Sequence, residues 1–450
     1  MKEESYDVFV IGSGTAGKLV AENCAREGLK VAIAENREYG GTCANRGCDP
    51  KKVLLGPTEI IQRTNDMVGK DIFRPLKLNF KKLQKFKKSF TTDVSKNTKE
   101  GFEKLGIKMF YQTPEFIDKK VLKIGDTQVL ADKIIIATGN IPRALDIKGS
   151  EYLKNSDDFL LLKKVPKKVV FIGAGYIGME FAHLAARAGS KVVVIDEGQG
   201  SLQKFDKDLV SLLESTSQKL GIQFIFNAGV NSVQKNKKKL EIEYTIDNKT
   251  KFKKADIIYN TTGRVPSISM LNLEVGGVDY NAKGIAVDNY LRSKSNKDVY
   301  ACGDVSDFSL SLTPLSGIEG NIVSKNIING NKHKIEIPLV PTVVFTIPNL
   351  ASVGYAEEEA KKRYKNISVK YGEISGWFNN KRINGDAYAY KIIINDRTNL
   401  IVGAHILSPE AAEIINLFTL AMNANIKIDV LRKMIFTYPS WSNDIKSMLS

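Results

Sequence analysis

Cys43 and Cys48 lie five positions apart in GGTCANRGCDPKK, residues 40–52. A regular helix cannot bridge them: an offset of five turns the second side chain well away from the first, whereas a disulfide needs Cα atoms roughly 4.4–6.8 Å apart. A loop running into a helix start can bring them together, with Gly47 as the break and Pro50 as the start. Cys48 would then stand at a helix N-terminus beside Lys51 and Lys52. Both features favour the thiolate, the reactive form of the sulfur. The pair reads as a redox disulfide rather than a structural staple.

A redox disulfide needs a source of electrons, and the flanking sequence offers two nucleotide sites. Tyr6–Ile11 is an apolar run of strand length, followed by Gly12-Ser13-Gly14-Thr15-Ala16-Gly17, a helix through Glu27 and a strand at Lys30–Ala34 that ends at Glu35. This is GxGxxG between strand and helix with an acid about twenty positions on. The glycines admit a pyrophosphate, the helix start offers amide hydrogens, and Glu35 can hold a ribose.

The pattern recurs as a strand at Lys168–Ile172, a turn at Gly173-Ala174-Gly175-Tyr176-Ile177-Gly178, a helix over Met179–Ala188 and a strand at Lys191–Ile195 ending in Asp196. Two fingerprints argue for two dinucleotides. The acid at Asp196 favours a free ribose 2′-hydroxyl and hence NADH. No arginine lies between Arg187 and Arg264, and Lys204 is the nearby cation left to serve NADPH. The implied path runs from a nicotinamide through a flavin to the disulfide, the cofactors carrying the chemistry and the protein orienting it.

Composition narrows the class. Four cysteines in 450 residues are too few for a secreted disulfide scaffold. MKEESYDVFVIG enters a strand directly, without the pattern of a signal peptide, and no apolar run reaches the 18 residues of a membrane span. A cytoplasmic protein of about three domains is expected. The net charge of +16 gathers in lysine clusters at 80–90, 235–239 and 249–254. These read as solvated faces, since none carries a nucleic-acid module or stacking aromatics. Neither nucleic acid nor membrane is expected as a partner. Cys24 and Cys302 read as small buried residues, and His183, His333 and His405 lack metal-ligand spacing, so no metal site is expected.

With these residues in hand, the chain resembles the pyridine nucleotide–disulfide oxidoreductases, which include glutathione reductase, dihydrolipoamide dehydrogenase and mercuric reductase. The cysteine box, KIIIATG at Lys133–Gly139, DIIYNTTGRVP at Asp256–Pro266, NKDVYACGD at Asn296–Asp304, Leu312-Thr313-Pro314 and VPTVVFTIPNLASVG at Val340–Gly354 carry the likeness over essentially the whole chain. The resemblance implies that Cys48 faces the flavin and that Cys43 is the interchange thiol. It implies an ion pair of Lys51 and Glu180 beside the flavin, and Tyr176 as a lid over the nicotinamide pocket. FAD would be held by Gly12, Gly14, Gly17, Glu35, Thr42, Thr138, Gly139, Asp304 and Thr313. NADH, with NADPH as the alternative, would be held by Gly173, Gly175, Tyr176, Gly178, Asp196 and Gly263. A homodimer is implied as well.

One departure stands out. Glutathione and lipoamide enzymes of this family place an acid–base histidine in a C-terminal His-Pro box, with a glutamate five residues later. Here those positions hold Tyr438 and Asn443. Imidazole trades protons near neutrality, whereas an unperturbed phenol titrates near 10. Tyr438 can donate a hydrogen bond at the site, reaching it across a dimer interface as its family counterpart does. Glu22 stands where relatives use a basic residue for glutathione's carboxylates, so glutathione disulfide is not expected as substrate.

The expected fold class is α/β: two Rossmann-like domains, for FAD and NAD, plus a C-terminal α+β dimerisation domain. The FAD domain is expected at residues 1–145 and 266–335, the NAD(P) domain at 146–265 and the interface domain at 336–450, with a helical excursion over 53–105. Three functions remain open at the level of sequence. The first is an NAD(P)H-dependent reductase of a small disulfide or thiol-reactive oxidant. The second is a flavin-level reductase of quinones, metals or oxygen with the disulfide as bystander. The third is a redox-sensing or interaction protein.

Overall fold

The computed structural model describes residues 2–237 and 239–450. The chain divides into two compact units, each described by itself: Met1–Val53, Lys85–Arg143 and Arg264–Ile337 form the first, and Leu54–Gln84, Ala144–Gly263 and Pro338–Ser450 the second.

The first unit is built on a seven-stranded sheet. Lys2–Ile11 lies between Val31–Ala34 and Thr127–Ile136, parallel to both, and Lys108–Phe110 and Val299–Ala301 extend the parallel set. Phe9, Val10, Ile33, Ile134 and Ile135 are fully buried, as expected of parallel strands covered on both faces. The first strand starts earlier than its apolar run, because Lys2–Tyr6 pairs with Thr127–Ala131 despite its polar side chains. Helix Thr15–Arg26 buries Ala16, Val20, Ala21 and Cys24 on the sheet, and its other neighbour is helix Thr313–Asn329. Gly320 permits that crossing, since a Cβ there would lie 2.7 Å from the Ala16 carbonyl oxygen.

The second unit contains a four-stranded parallel sheet in the order Ile222–Ile225, Lys191–Ile195, Lys168–Ile172, Ile257–Asn260. A three-stranded antiparallel meander, Gly229–Asn236, Lys239–Ile246 and Lys249–Ala255, adjoins it. A five-stranded antiparallel sheet follows, in the order Thr342–Val344, Asn349–Gly354, Leu400–Ser408, Ala389–Asn395, Ile367–Glu373. Helix Ala411–Asn423 packs Ile414, Ile415 and Phe418 on one face of it. On the other face, Leu209 and Leu213 of helix Lys207–Lys219 meet Ala389 and Leu407. Strand Ala389–Asn395 is therefore buried on both faces, yet it carries Lys391. Its ammonium is satisfied by Asp206 at 2.8 Å, Asp208 at 2.5 Å and Glu357 at 3.1 Å.

The stretch 53–105 is helical, in Cys48–Val68, Phe80–Thr91 and Val94–Lys104. No helix among the described residues is long and apolar enough to cross a membrane.

Candidate active site

The two cysteines are brought together by a break between two helices, not by a loop entering one. Cys43 sits in a short helix, Gly41–Arg46, and Cys48 opens helix Cys48–Val68. Gly47 between them leaves helical geometry at φ −137° and ψ −119°. Only glycine fits there, because a Cβ would approach the Thr42 carbonyl oxygen to 2.9 Å and the Cys43 Cα to 3.2 Å. Pro50 falls in the first turn of the long helix, where a missing N–H costs nothing. Both cysteines are free thiols, Cys43 half-buried and Cys48 exposed.

Thr313, at the start of its helix, donates its hydroxyl to Cys43 Sγ at 3.2 Å and lies 3.9 Å from Cys48 Sγ. Cys43 in turn points its thiol at Asp49 Oδ1, 3.8 Å away. The two sulfurs titrate as a pair. The hydrogen bond from Cys43, aided by the Lys51 ammonium and the Thr313 hydroxyl, overcomes burial and brings Cys48 down to about 6. The same hydrogen bond, with burial and the Asp49 charge, pushes Cys43 up. Cys24, in contrast, is pushed up to about 12 by burial, and Cys302 is raised by burial as well. Of the four cysteines, Cys48 is the one poised to be a thiolate at neutral pH.

Beside this pair lies the first glycine turn. Gly12 has φ +104°, and a Cβ on it would lie 2.4 Å from the Ala137 carbonyl oxygen; one on Gly17 would lie 2.0 Å from the Gly12 oxygen. Gly14 caps helix Thr15–Arg26 without any side-chain bond, leaving its first amides open. Glu35 takes the Ser13 amide at 3.1 Å and hydroxyl at 2.8 Å on one oxygen, and the Asn36 and Arg37 amides on the other. Thr138, whose Cα lies 3.1 Å from that hypothetical Gly12 Cβ, has a buried hydroxyl without a partner among the described residues. Gly139 follows at φ +64°. Asp304 is half-buried, and burial raises it against the pull of Arg264. An open helix start, an orphaned hydroxyl and a carboxylate at a strand end fit the pyrophosphate and ribose of FAD.

The second unit repeats this construction. Gly173 has φ +102° with a would-be Cβ 2.7 Å from the Thr261 oxygen, and one on Gly178 would lie 2.0 Å from the Gly173 oxygen. Gly175 caps helix Tyr176–Arg187 without a side-chain bond, and Gly263 has φ +126°. Asp196 accepts the Ala174 amide at 2.6 Å and the Gly198 amide at 2.7 Å. These residues fit a nicotinamide dinucleotide on the same grounds. Tyr176 is 40 % exposed, rests edge-on against Phe205 with ring centres 5.4 Å apart, and bonds Thr342 Oγ1 at 2.7 Å. Glu180, one turn further along the same helix face, is buried and accepts the Phe345 amide at 2.9 Å.

Lys51 belongs to the first unit and Glu180 to the second. Tyr438, in the second unit, precedes a cis Pro439 and is 74 % exposed. Two residues were missed by sequence reasoning. Ser13 links Glu35 to the Gly40 amide, and no sequence signal marks it. Asp49 faces the Cys43 sulfur, and its sequence signal is an acid placed directly after Cys48. Two histidines are engaged in structure: His183 is buried between Ser217 Oγ at 2.8 Å and the Ile347 amide at 3.1 Å, and His405 bonds Ser352 Oγ at 3.0 Å.

Comparison with known proteins identifies the family. The family described as pyridine nucleotide-disulphide oxidoreductase matches residues 6–321, and its dimerisation domain matches residues 340–449. The chain is 29 % identical to a glutathione reductase of Nostoc, covering 98 % of this chain and 99 % of that protein. It is 29 % identical to a mercuric reductase of Staphylococcus aureus, covering 99 % of this chain and 82 % of that protein. Among solved structures, the copper(II) complex of RclA, an HOCl-induced flavoprotein disulfide reductase of Escherichia coli, aligns with a TM-score of 0.88 at 26 % identity, covering 99 % of each chain. The chain belongs to the pyridine nucleotide-disulphide oxidoreductase family, and is an FAD-dependent disulfide oxidoreductase that draws on NAD(P)H.

Proposed function

We propose that this enzyme reduces a small disulfide or another thiol-reactive oxidant at the expense of NADH, through Cys43 and Cys48. The observation that carries the reading is the pair itself: two thiols held under one Thr313 hydroxyl, with Cys43 and Lys51 favouring the thiolate of Cys48. The chemistry that bound FAD would supply is hydride acceptance from a nicotinamide and two-electron transfer to the disulfide. Cys43 is the sulfur that meets substrate, and Cys48 the one on the flavin side. Lys51 and Glu180 are the charged residues assigned to tuning the flavin, and Tyr176 covers the nicotinamide pocket. Gly12, Gly14, Gly17, Glu35, Thr42, Thr138, Gly139, Asp304 and Thr313 hold FAD. Gly173, Gly175, Gly178, Asp196 and Gly263 hold NADH, whose free 2′-hydroxyl suits the carboxylate of Asp196.

The proposed division gives FAD residues 1–145 and 266–335, the nicotinamide 146–265 and the interface 336–450. A homodimer is proposed on the dimerisation-domain match and on apolar side chains left open in that domain, Ile435 at 95 % exposure among them. In it Tyr438 serves the partner's site as a hydrogen-bond donor. The relation to RclA, which is HOCl-induced, supports oxidants over glutathione-like substrates, as do Glu22 and the missing histidine. The absence of that histidine also favours a second reading, in which acceptors such as quinones, metals or oxygen take electrons from the flavin directly. Cys43→Ser separates the two: turnover with disulfides and oxidants is lost on the first reading and unaltered on the second.

A further inference from the structure

Asp49 occupies a place that the chemistry of the pair makes sensitive. It directly follows Cys48 in the first turn of helix Cys48–Val68, is exposed, and accepts the Cys43 thiol on Oδ1 at 3.8 Å. The other partners of Cys43 are the Thr313 hydroxyl, which donates to it at 3.2 Å, and Cys48, which competes with Asp49 for the single thiol proton. The cation of this group, Lys51, acts on Cys48. Among the described residues, the interchange sulfur therefore has acceptors for its proton and no imidazole among its hydrogen-bond partners.

We infer that Asp49 is a positioning residue that keeps the proton on Cys43, so that the reduced pair rests as Cys43 thiol and Cys48 thiolate and reacts slowly with unactivated alkyl disulfides. The inference deepens the proposed function and rests on its reading of Cys43 as the sulfur that meets substrate. The step it governs is a balanced exchange. Cys43 loses its proton as its sulfur bonds one substrate sulfur; the substrate S–S bond breaks and the departing thiolate takes up a proton. Cys48 thiolate then displaces the second substrate thiolate from Cys43, and the Cys43–Cys48 disulfide forms. The nucleophile in the first half is a thiolate. Beside the hydrogen bond to Cys48 and burial, which hold the proton on Cys43, the Asp49 carboxylate 3.8 Å away opposes thiolate formation through its charge. Asp49 thus sets specificity against weak electrophiles and leaves strong oxidants, which react with a less activated sulfur, as the favoured class.

The test uses the FAD-loaded enzyme, reduced anaerobically with NADH at pH 7. In Asp49→Asn, alkylation of Cys43 by iodoacetamide, located by mass spectrometry, is expected to run roughly three- to tenfold faster. kcat/KM for 2-hydroxyethyl disulfide is expected to rise by a similar factor. Asp49→Glu, which keeps the charge, retains the slow alkylation. Alkylation of Asp49→Asn at or below the wild-type rate overturns the inference. Cys43→Ser distinguishes the failure of the underlying reading: surviving disulfide turnover in that variant removes both, whereas lost turnover together with unaltered Asp49→Asn alkylation removes the role of Asp49 alone.

Discussion

Thr313 donates its hydroxyl to Cys43 Sγ at 3.2 Å across a separation of 270 residues in sequence. The bond ties the start of helix Thr313–Asn329 to the short helix Gly41–Arg46, and it leaves the same hydroxyl 3.9 Å from the Cys48 sulfur, able to turn to either thiol. Replacing Thr313 by valine keeps the shape and removes the donor. A hydrogen bond worth about 1 kcal/mol corresponds to about half to one pH unit. The thiolate of Cys48 in Thr313→Val is therefore expected to titrate about half to one unit higher, read from thiolate absorbance against pH.

Cys48 titrates at about 6, below the ordinary thiol value of 9.0. The reduced protein should hold the thiolate above about 6 and lose it below. The sign of the stability term follows from the lowered value. The contribution is fully present above the unfolded thiol's range near 9, and it disappears as the pH falls through about 6. Thermal unfolding of the reduced enzyme against pH should show this loss, and Cys48→Ser should not.

The turns at Gly12 and Gly173 were legible from sequence because only glycine meets their two demands, positive φ and a carbonyl oxygen closer than a Cβ allows. Their acids were legible too, since each ends an apolar strand. What escaped was set by distance in the chain or by local tolerance. The first strand begins at Lys2 because Thr127–Ile136 is long enough to pair with it, which its own polar start does not reveal. The break at Gly47 joins two helices where a loop was expected, since the short helix Gly41–Arg46 has no apolar periodicity to announce it. Asp49 met Cys43 only once the backbone had folded back on itself.

Asp196 holds two backbone amides of its own turn at 2.6 and 2.7 Å. A ribose diol bonded to that carboxylate loses a charge-assisted partner in Asp196→Ala, a loss of about 1.5–3 kcal/mol. The KM for NADH is expected to rise about tenfold or more with kcat little altered, and the preference for NADH over NADPH to narrow. Steady-state kinetics with both nucleotides checks this.

Lys391 shows how strongly the second unit depends on one buried cation. Its three carboxylate partners draw it far into the charged state, against the cost of burial. Lys391→Met keeps the volume but leaves Asp206 buried without its counter-charge, which costs about 3–5 kcal/mol. The denaturant midpoint should fall accordingly. Adding Asp206→Asn should recover part of the loss, because the unpaired charge is then gone.

On the proposed function, Cys43 and Cys48, and not the flavin alone, receive the electrons of the nicotinamide. Anaerobic titration of the oxidised holoenzyme with NADH, with thiols counted by alkylation and mass spectrometry, tests it most directly. One equivalent is expected to release two thiols per chain, at Cys43 and Cys48, together with a long-wavelength absorption band that Cys48→Ser lacks. Bleaching of the flavin with the Cys43–Cys48 disulfide left intact would contradict it.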